Sequence, residues 1–159
     1  MADAAKIDRF DRRILLELQS NARQTNKQLA GAVGLAQSTT LERVRDLERR
    51  GVITGHHTHV SLLALGRPLE GMVTLRIHPK TDAAIARLLT RLENLPETMA
   101  IYLLSGVDDV LVHLAVADPD HLRRVVLSEI STIEGVADEH TSIVFDYRQR
   151  RVIDVLEPS

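Results

Sequence analysis

The stretch NKQLAGAVGLAQSTTLERVRDLERRGVI, residues 26–53, decides how this chain is read. Gly34 divides it into two short helices. The first runs from Lys27 to Val33 with Leu29, Ala30 and Val33 on one face. Glycine ends it, being costly inside a helix and comfortable in a left-handed turn. The second begins near Ala36 to Ser38 and runs to Arg50. Leu41, Val44 and Leu47 recur at spacing three and are expected to be its buried stripe, with Glu42, Arg43, Arg45, Asp46, Arg49 and Arg50 on the other side. Gly51 stops it, and Val52–Ile53 opens an extended segment. A short helix, a glycine turn and a second helix carrying hydroxyl, amide and guanidinium groups make a helix-turn-helix. The second helix of such a unit fits the DNA major groove, where those groups reach base edges.

A further helix precedes this pair. Ile7, Phe10, Ile14, Leu15 and Leu18 follow helical spacing, and Asp8 stands at an N-cap position. After the pair, Val52 to Val60 reads as extended, forming a wing or a strand leading out. Ser61 to Pro68 (SLLALGRP) carries the turn residues Gly66 and Pro68 and marks a boundary. Residues 1–60 are therefore expected to be a helix-turn-helix head with a wing or linker strand, and 61–159 a second domain.

In the second half the period changes. Val73, Leu75 and Ile77 alternate with Thr74, Arg76 and His78, as in a half-buried strand. Thr81 caps a helix with Ile85, Leu88, Leu89 and Leu92 on one face. Met99 to Leu104 reads as a second strand, ended by Ser105-Gly106-Val107-Asp108-Asp109. Val110 to Val116 reads as a third, with Val110, Val112, Leu114 and Val116 on one side. Asp118-Pro119 starts a helix whose buried stripe is Leu122, Val125, Val126 and Ile130, and Thr141 to Tyr147 is the expected fourth strand. The fold class is α+β, with a winged helix-turn-helix head followed by a ferredoxin-like β-α-β-β-α-β domain on an antiparallel sheet. Both helices cover one sheet face. The other face, with Tyr102, Leu104, Leu111 and Ala115, is left open and is expected to drive self-association.

Composition narrows the function classes. Apolar residues are 44% and charged residues 26% of 159, ordinary for a soluble globular protein. Aromatics are 3% and tryptophan is absent, which argues against stacking on unpaired bases as the main activity. The lack of cysteine removes disulfides, thiol catalysis and cysteine-ligated zinc, and fits a reducing cytosol. MADAAKIDRFDRR has no apolar segment of a secretory signal. The longest apolar run, Val110 to Ala117, is too short to cross a bilayer, so no membrane partner is expected. The net charge of −2 conceals a split. Residues 1–60 hold ten basic residues, Lys6 among them, against seven acids, and residues 61–159 ten against fifteen. A basic head on an acidic body suits a head that meets a polyanion, although solvated helix faces give the same balance.

Head, boundary and tail together resemble the Lrp/AsnC, or feast/famine, family of bacterial and archaeal regulators. IDRFDRRILLELQSNAR (residues 7–23), LERVRDLERRGVI (41–53) and LLSGVDDVLV (103–112) carry the resemblance, which spans nearly the whole chain. It implies a cytoplasmic, nucleoid-associated transcription factor that binds double-stranded DNA, dimerises through its ferredoxin-like domain and often assembles into octamers. It further implies an amino acid or related metabolite sensed between dimers, with Ser105, Gly106, Asp108, Asp109, Val136 and Thr141 as the effector residues. Two departures matter. Ala36 stands where the family usually has a serine opening the recognition helix, so capping either shifts to Ser38 or is lost, at roughly 1 kcal/mol. Val107 stands where many members have an acid directly after the glycine, and the acids come at Asp108 and Asp109.

On the recognition helix, Gln37, Ser38, Thr39 and Arg43 are expected to approach bases or nearby phosphates, and Arg45, Arg49 and Arg50 to bind phosphates or stay solvated. His57 and His59 share a face of an extended segment, with His56 beside them, but no third ligand is foreseen nearby, and no metal is expected. Asp108 and Asp109 have no nucleophile or phosphate loop beside them. They favour a turn rather than acid–base catalysis, so the chain is not expected to be an enzyme and no cofactor beyond an amino-acid effector is implied. Gly106 is either a plain turn glycine or a gap that lets a ligand carboxylate approach backbone N–H groups. The leading reading is a sequence-specific regulator controlled by an amino acid. The alternatives are an architectural protein that wraps DNA with little effector response, and a ligand-binding ferredoxin-like domain with an incidental head.

Overall fold

The computed structural model describes residues 7–156. The terminal residues read above, Lys6 included, lie outside that range. Within it the chain forms two compact units, one of residues 7–58 with 148–156 and one of 59–147.

The first unit is built on α1 (Arg9–Ser20), α2 (Asn26–Val33) and α3 (Gln37–Arg49). Asp8 caps α1, accepting the N–H groups of Phe10 and Asp11 at 2.7 and 2.9 Å, while the Asp11 carboxylate accepts the Asp8 N–H at 3.3 Å. Thr25 and Gln28 form the same reciprocal box on α2. Gly34 takes the left-handed conformation at φ 75°, so its own N–H and that of Leu35 both reach the Ala30 carbonyl at 3.0 Å and close the helix. Ile14, Leu29, Val33 and Leu47 form the core, with Leu15, Leu18, Leu35, Val44, Val52 and Ile53 around it. Each fully buried chain of this size stabilises by about 1.5–3 kcal/mol.

Two expectations are corrected here. Leu41 is 39% exposed, and Thr40 takes the buried place beside Val44 and Leu47. A threonine fits there because its hydroxyl donates to the Ala36 carbonyl one turn back, at 3.0 Å. The segment after Gly51 forms no strand. Val52 and Ile53 return their N–H groups to the Leu47 carbonyl, and residues 54–60 have no ladder partner among the described residues. A strand without a neighbour has no hydrogen bonds to hold it. The C-terminal segment joins this unit: Asp154 takes the Arg12 guanidinium through both oxygens, at 2.7 and 2.6 Å. Gln19 and the backbone of Ile153 exchange bonds of 2.9 and 2.8 Å.

The second unit contains β1 (Leu69–Ile77), α4 (Asp82–Glu93), β2 (Thr98–Leu103), β3 (Val110–Val116), α5 (Pro119–Arg124) with a π-helical turn (Val125–Ile130), and β4 (Val136–Ile143). The sheet order is β2-β3-β1-β4, and every neighbouring pair is antiparallel. Val73, Leu75 and Ile77 lie beside Val110, Val112, Leu114 and Val116 on the helix-covered face. Ala84, Leu88 and Leu92 of α4 and Leu122, Val125, Val126 and Ile130 complete this core. Thr81 caps α4 through the Ala84 N–H, and Asp118 caps α5 through the His121 N–H at 2.7 Å. The π turn closes where the Ser131 N–H and hydroxyl both reach the Val126 carbonyl at 2.8 Å.

The fourth strand begins at Val136 and ends at Ile143, not Thr141 to Tyr147. Its pairing with β1 decides this, because Ile77 opposes Val136 and Gly71 opposes Ile143. The open face carries Tyr102 and Leu111 as expected, whereas Leu104 lies beyond the end of β2 and Ala115 is buried. Covering groups from the chain itself explain Ala115 and its neighbour His113. The Tyr147 ring stands 6.2 Å from that of His113, and Glu70 lies 2.7 Å from His113 Nε2.

Candidate nucleic-acid interface and effector turn

Helix α3 starts at Gln37, and Ala36 at its N-cap makes no side-chain bond. Of the two outcomes left open for this cap, it is therefore lost rather than shifted, and Ser38 lies inside the helix. Thr40 is the first residue to return its N–H, to the Ala36 carbonyl at 2.9 Å, so those of Gln37, Ser38 and Thr39 stay unspent. Gln37, Ser38 and Thr39 are all exposed. Asn26 at the start of α2 donates its amide to the Gln37 carbonyl at 2.8 Å and ties the two helix N-termini together.

The arginines sort by partner. Arg43 donates through one nitrogen to Asp8 and Asp11, both at 2.7 Å. Arg49 pairs with Asp46, and Arg50 pairs with Asp46 at 2.9 Å. Those two guanidiniums hold the Asp46 carboxyl below the usual carboxylate range. Arg45 is exposed and has no partner among the described residues. At about 100° per residue, Ser38, Glu42, Arg45 and Arg49 leave α3 on the side away from Thr40, Val44 and Leu47. Leu41 flanks that outward face. Sequence spacing placed Leu41 in the core, and only the competing burial of Thr40 reveals it as an exposed apolar group among polar ones.

In the second unit, Ser105, Gly106 and Val107 are exposed and Asp108 is half-buried. Gly106 has φ 151°, a conformation that side chains disfavour, and open space where a Cβ would stand. Among the described residues, the backbone N–H groups from Ser105 to Asp108 take no partner. Asp109 differs from its neighbours: it is buried, with one oxygen 2.7 Å from Lys80 Nζ and the other accepting the Ile77 N–H at 2.8 Å. The Lys80 ammonium and that N–H hold its carboxyl below the usual range. Val136 opposes Ile77, so it shares this end of the sheet with the turn. Thr141 does not. It opposes Val73, four residues back along β1, or about 13 Å away at the strand rise.

His56 lies 3.6 Å from Glu48, and among the described residues no three His, Asp or Glu side chains come together as metal ligands would. No helix among them is long and apolar enough to cross a membrane.

Residues 7–54 match the winged helix-turn-helix DNA-binding family, and residues 70–152 match the Lrp/AsnC ligand binding domain. The chain is 35% identical over 144 residues to the HTH-type transcriptional regulator AldR of Mycolicibacterium smegmatis, covering 91% of this chain and 84% of that protein. It is 32% identical over 140 residues to the leucine-responsive regulatory protein of Escherichia coli, covering 88% and 85%. A transcriptional regulator of Neisseria meningitidis, solved in complex with L-methionine, superposes with a TM-score of 0.86 at 26% identity over 92% of this chain and 94% of that one. The chain belongs to the Lrp/AsnC family of DNA-binding transcriptional regulators.

Proposed function

We propose that this regulator reads double-stranded DNA through the N-terminal half of α3 and answers to an amino acid held at the Ser105–Asp109 turn. The observation that carries the first part is the outward face of α3. Ser38 and the unpaired Arg45 lie on it, and the uncapped N-terminus adjoins it with the exposed amide of Gln37 and hydroxyl of Thr39 in the first turn. Free N–H groups at a helix start suit a phosphate oxygen, and short polar chains at that end suit base edges. Leu41 supplies an apolar contact for a thymine methyl group. Arg49 and Arg50 share Asp46 and serve as weaker phosphate contacts.

For the effector, the free N–H groups of Ser105 and Gly106 suit a carboxylate. Asp108, without a partner among the described residues, suits the ammonium. Asp109, already engaged by Lys80 and Ile77, orders the turn. L-methionine in the Neisseria neighbour supports this ligand class. The exposed Tyr102 and half-buried Met72, Thr74 and Leu111 on the open sheet face support a homodimer, assembling further to an octamer. The protein acts in the cytoplasm on nucleoid DNA and catalyses no reaction.

Footprinting on the DNA beside its own gene tests this. Discrete, evenly spaced protection is expected. Uniform coverage would mean an architectural protein, and no protection would remove the DNA reading.

A further inference from the structure

Arg43 is the arginine whose place one turn into α3 most suggests base readout, and its surroundings point elsewhere. Its Nη1 meets Asp8 Oδ2 and Asp11 Oδ1, each at 2.7 Å, and its guanidinium carbon stands 5.5 Å from the centre of the Phe10 ring. Asp11 has only 7% of its side chain exposed. Its second oxygen takes the Asp8 N–H at 3.3 Å and lies 4.0 Å from Arg50 Nη1. A carboxylate that far from water is costly unless a cation faces it, and Arg43 is the close one. On the helical wheel Arg43 leaves α3 within about 70° of the buried Thr40–Val44–Leu47 side, while Ser38, Arg45 and Arg49 leave it more than about 130° away.

We propose that Arg43 is a positioning residue: it anchors the recognition helix to the capping box of α1, fixing how Gln37, Ser38, Thr39, Leu41 and Arg45 are presented, and reads no base itself. The proposal rests on α3 being the recognition helix. An ion pair suits the role because it holds its partners in one geometry. Sliding α3 against α1 would strip Asp11 of its cation, whereas apolar contacts alone tolerate small slips. A direct contact would instead require Arg43 to leave Asp8 and Asp11, stripping the nearly buried Asp11 of its close cation and leaving it only the Asp8 N–H and Arg50 at 4.0 Å.

Titration of the full-length protein against a duplex that the wild type selects from a random pool, and against a scrambled duplex, separates the two roles. The variants are Arg43→Gln, Asp11→Asn, Asp8→Asn and the Arg43→Gln/Asp11→Asn pair, each held at a temperature where circular dichroism shows the native spectrum. Positioning predicts that Arg43→Gln and Asp11→Asn each weaken the selected duplex by roughly tenfold while leaving the scrambled one within about twofold. It also predicts that the double variant is no worse than the weaker single one and that the slope of log K against log salt is unchanged. Asp8→Asn, at the exposed end of the pair, gives a smaller loss of the same kind and tests the proposal if Asp11→Asn fails to fold. Arg43→Gln lowering the slope by about 0.9, with either aspartate variant binding as well as or better than wild type, would overturn it, since freeing a DNA-contacting guanidinium cannot weaken DNA binding. A wild type that selects no duplex would instead remove the DNA reading, and the proposal with it.

Discussion

Asp109 accepts the Ile77 N–H at 2.8 Å where β1 shifts register against β4. That N–H faces the β3 side of β1, as does the Leu75 carbonyl that accepts the Asp109 N–H, but the ladder with β3 ends at Leu75 opposite Val110, and the carboxylate satisfies it instead. Truncation leaves a buried donor without a partner, which costs about 1–3 kcal/mol. Asp109→Ala is therefore expected to destabilise the second unit by that amount in urea unfolding. Asp109→Asn, which keeps an oxygen acceptor and loses only the Lys80 attraction, should cost less. Equal losses in the two variants would show that the Ile77 bond contributes nothing.

DNA affinity should fall steeply with salt, because cations on the head release counterions from phosphates. Among the α3 arginines, Arg45 alone is unshared, so Arg45→Ala should lower the slope of log K against log salt by about 0.9. Arg49→Ala should lower it by less, because that guanidinium already faces Asp46. Fluorescence anisotropy at four or five salt concentrations reads both. A flat plot for the wild type would remove the electrostatic argument altogether.

Much of this was legible in the sequence because strong periodic signals coincided with caps. Asp8, Thr81 and Asp118 stand where they cap, and the stripes Val110–Val112–Leu114–Val116 and Leu122–Val125–Val126–Ile130 are buried as their spacing demands. The start of the fourth strand is hidden because Val136 to His140 alternates poorly and is polar, so that only the ladder with β1 defines it. Leu41 is exposed because the helical phase, in which Thr40 and not Leu41 shares a face with Val44 and Leu47, outweighs its hydrophobicity. Spacing within one helix says nothing of Asp8 and Asp11, more than thirty residues back, so their hold on the Arg43 guanidinium is invisible in the sequence. The roles of Asp108 and Asp109 also separate only in three dimensions, where one carboxylate is engaged and the other is not.

Acid should unfold the first unit partly through Asp154. The Arg12 guanidinium holds its carboxyl below the ordinary 3.8. A group with a lowered folded pKa contributes stability above its unfolded value and loses it as pH falls through the folded one. The pair therefore adds stability above about pH 4 that is lost as pH falls through the lowered value of the folded carboxyl. Arg12→Gln should give a shallower decline of stability over that window, with the two curves meeting at its acid end. Parallel curves would mean that Arg12 and Asp154 do not pair in solution.

The effector turn gives the last expectation. Gly106 combines φ 151°, open space at its Cβ and free N–H groups on either side, so a ligand carboxylate can approach the backbone there. Gly106→Asp should abolish amino-acid binding by placing a negative charge at that approach. Any side chain at this φ also costs about 1–3 kcal/mol of backbone strain, so Gly106→Ala is the control that carries the strain without the charge. Asp108→Asn removes the proposed partner of the ammonium and should weaken binding, while Asp109→Asn should weaken it less, having lost only order in the turn. Because ligand and assembly would share an interface, a bound amino acid should also shift the dimer–octamer distribution seen by light scattering, by as much as its affinity differs between the two states. Calorimetry of the four variants and wild type against the twenty amino acids reads the first part. Gly106→Asp binding as tightly as wild type would place the effector elsewhere, and a wild type that binds none of the twenty would mean that Val107, exposed at the tip of this turn, marks a regulator that answers to another class of molecule.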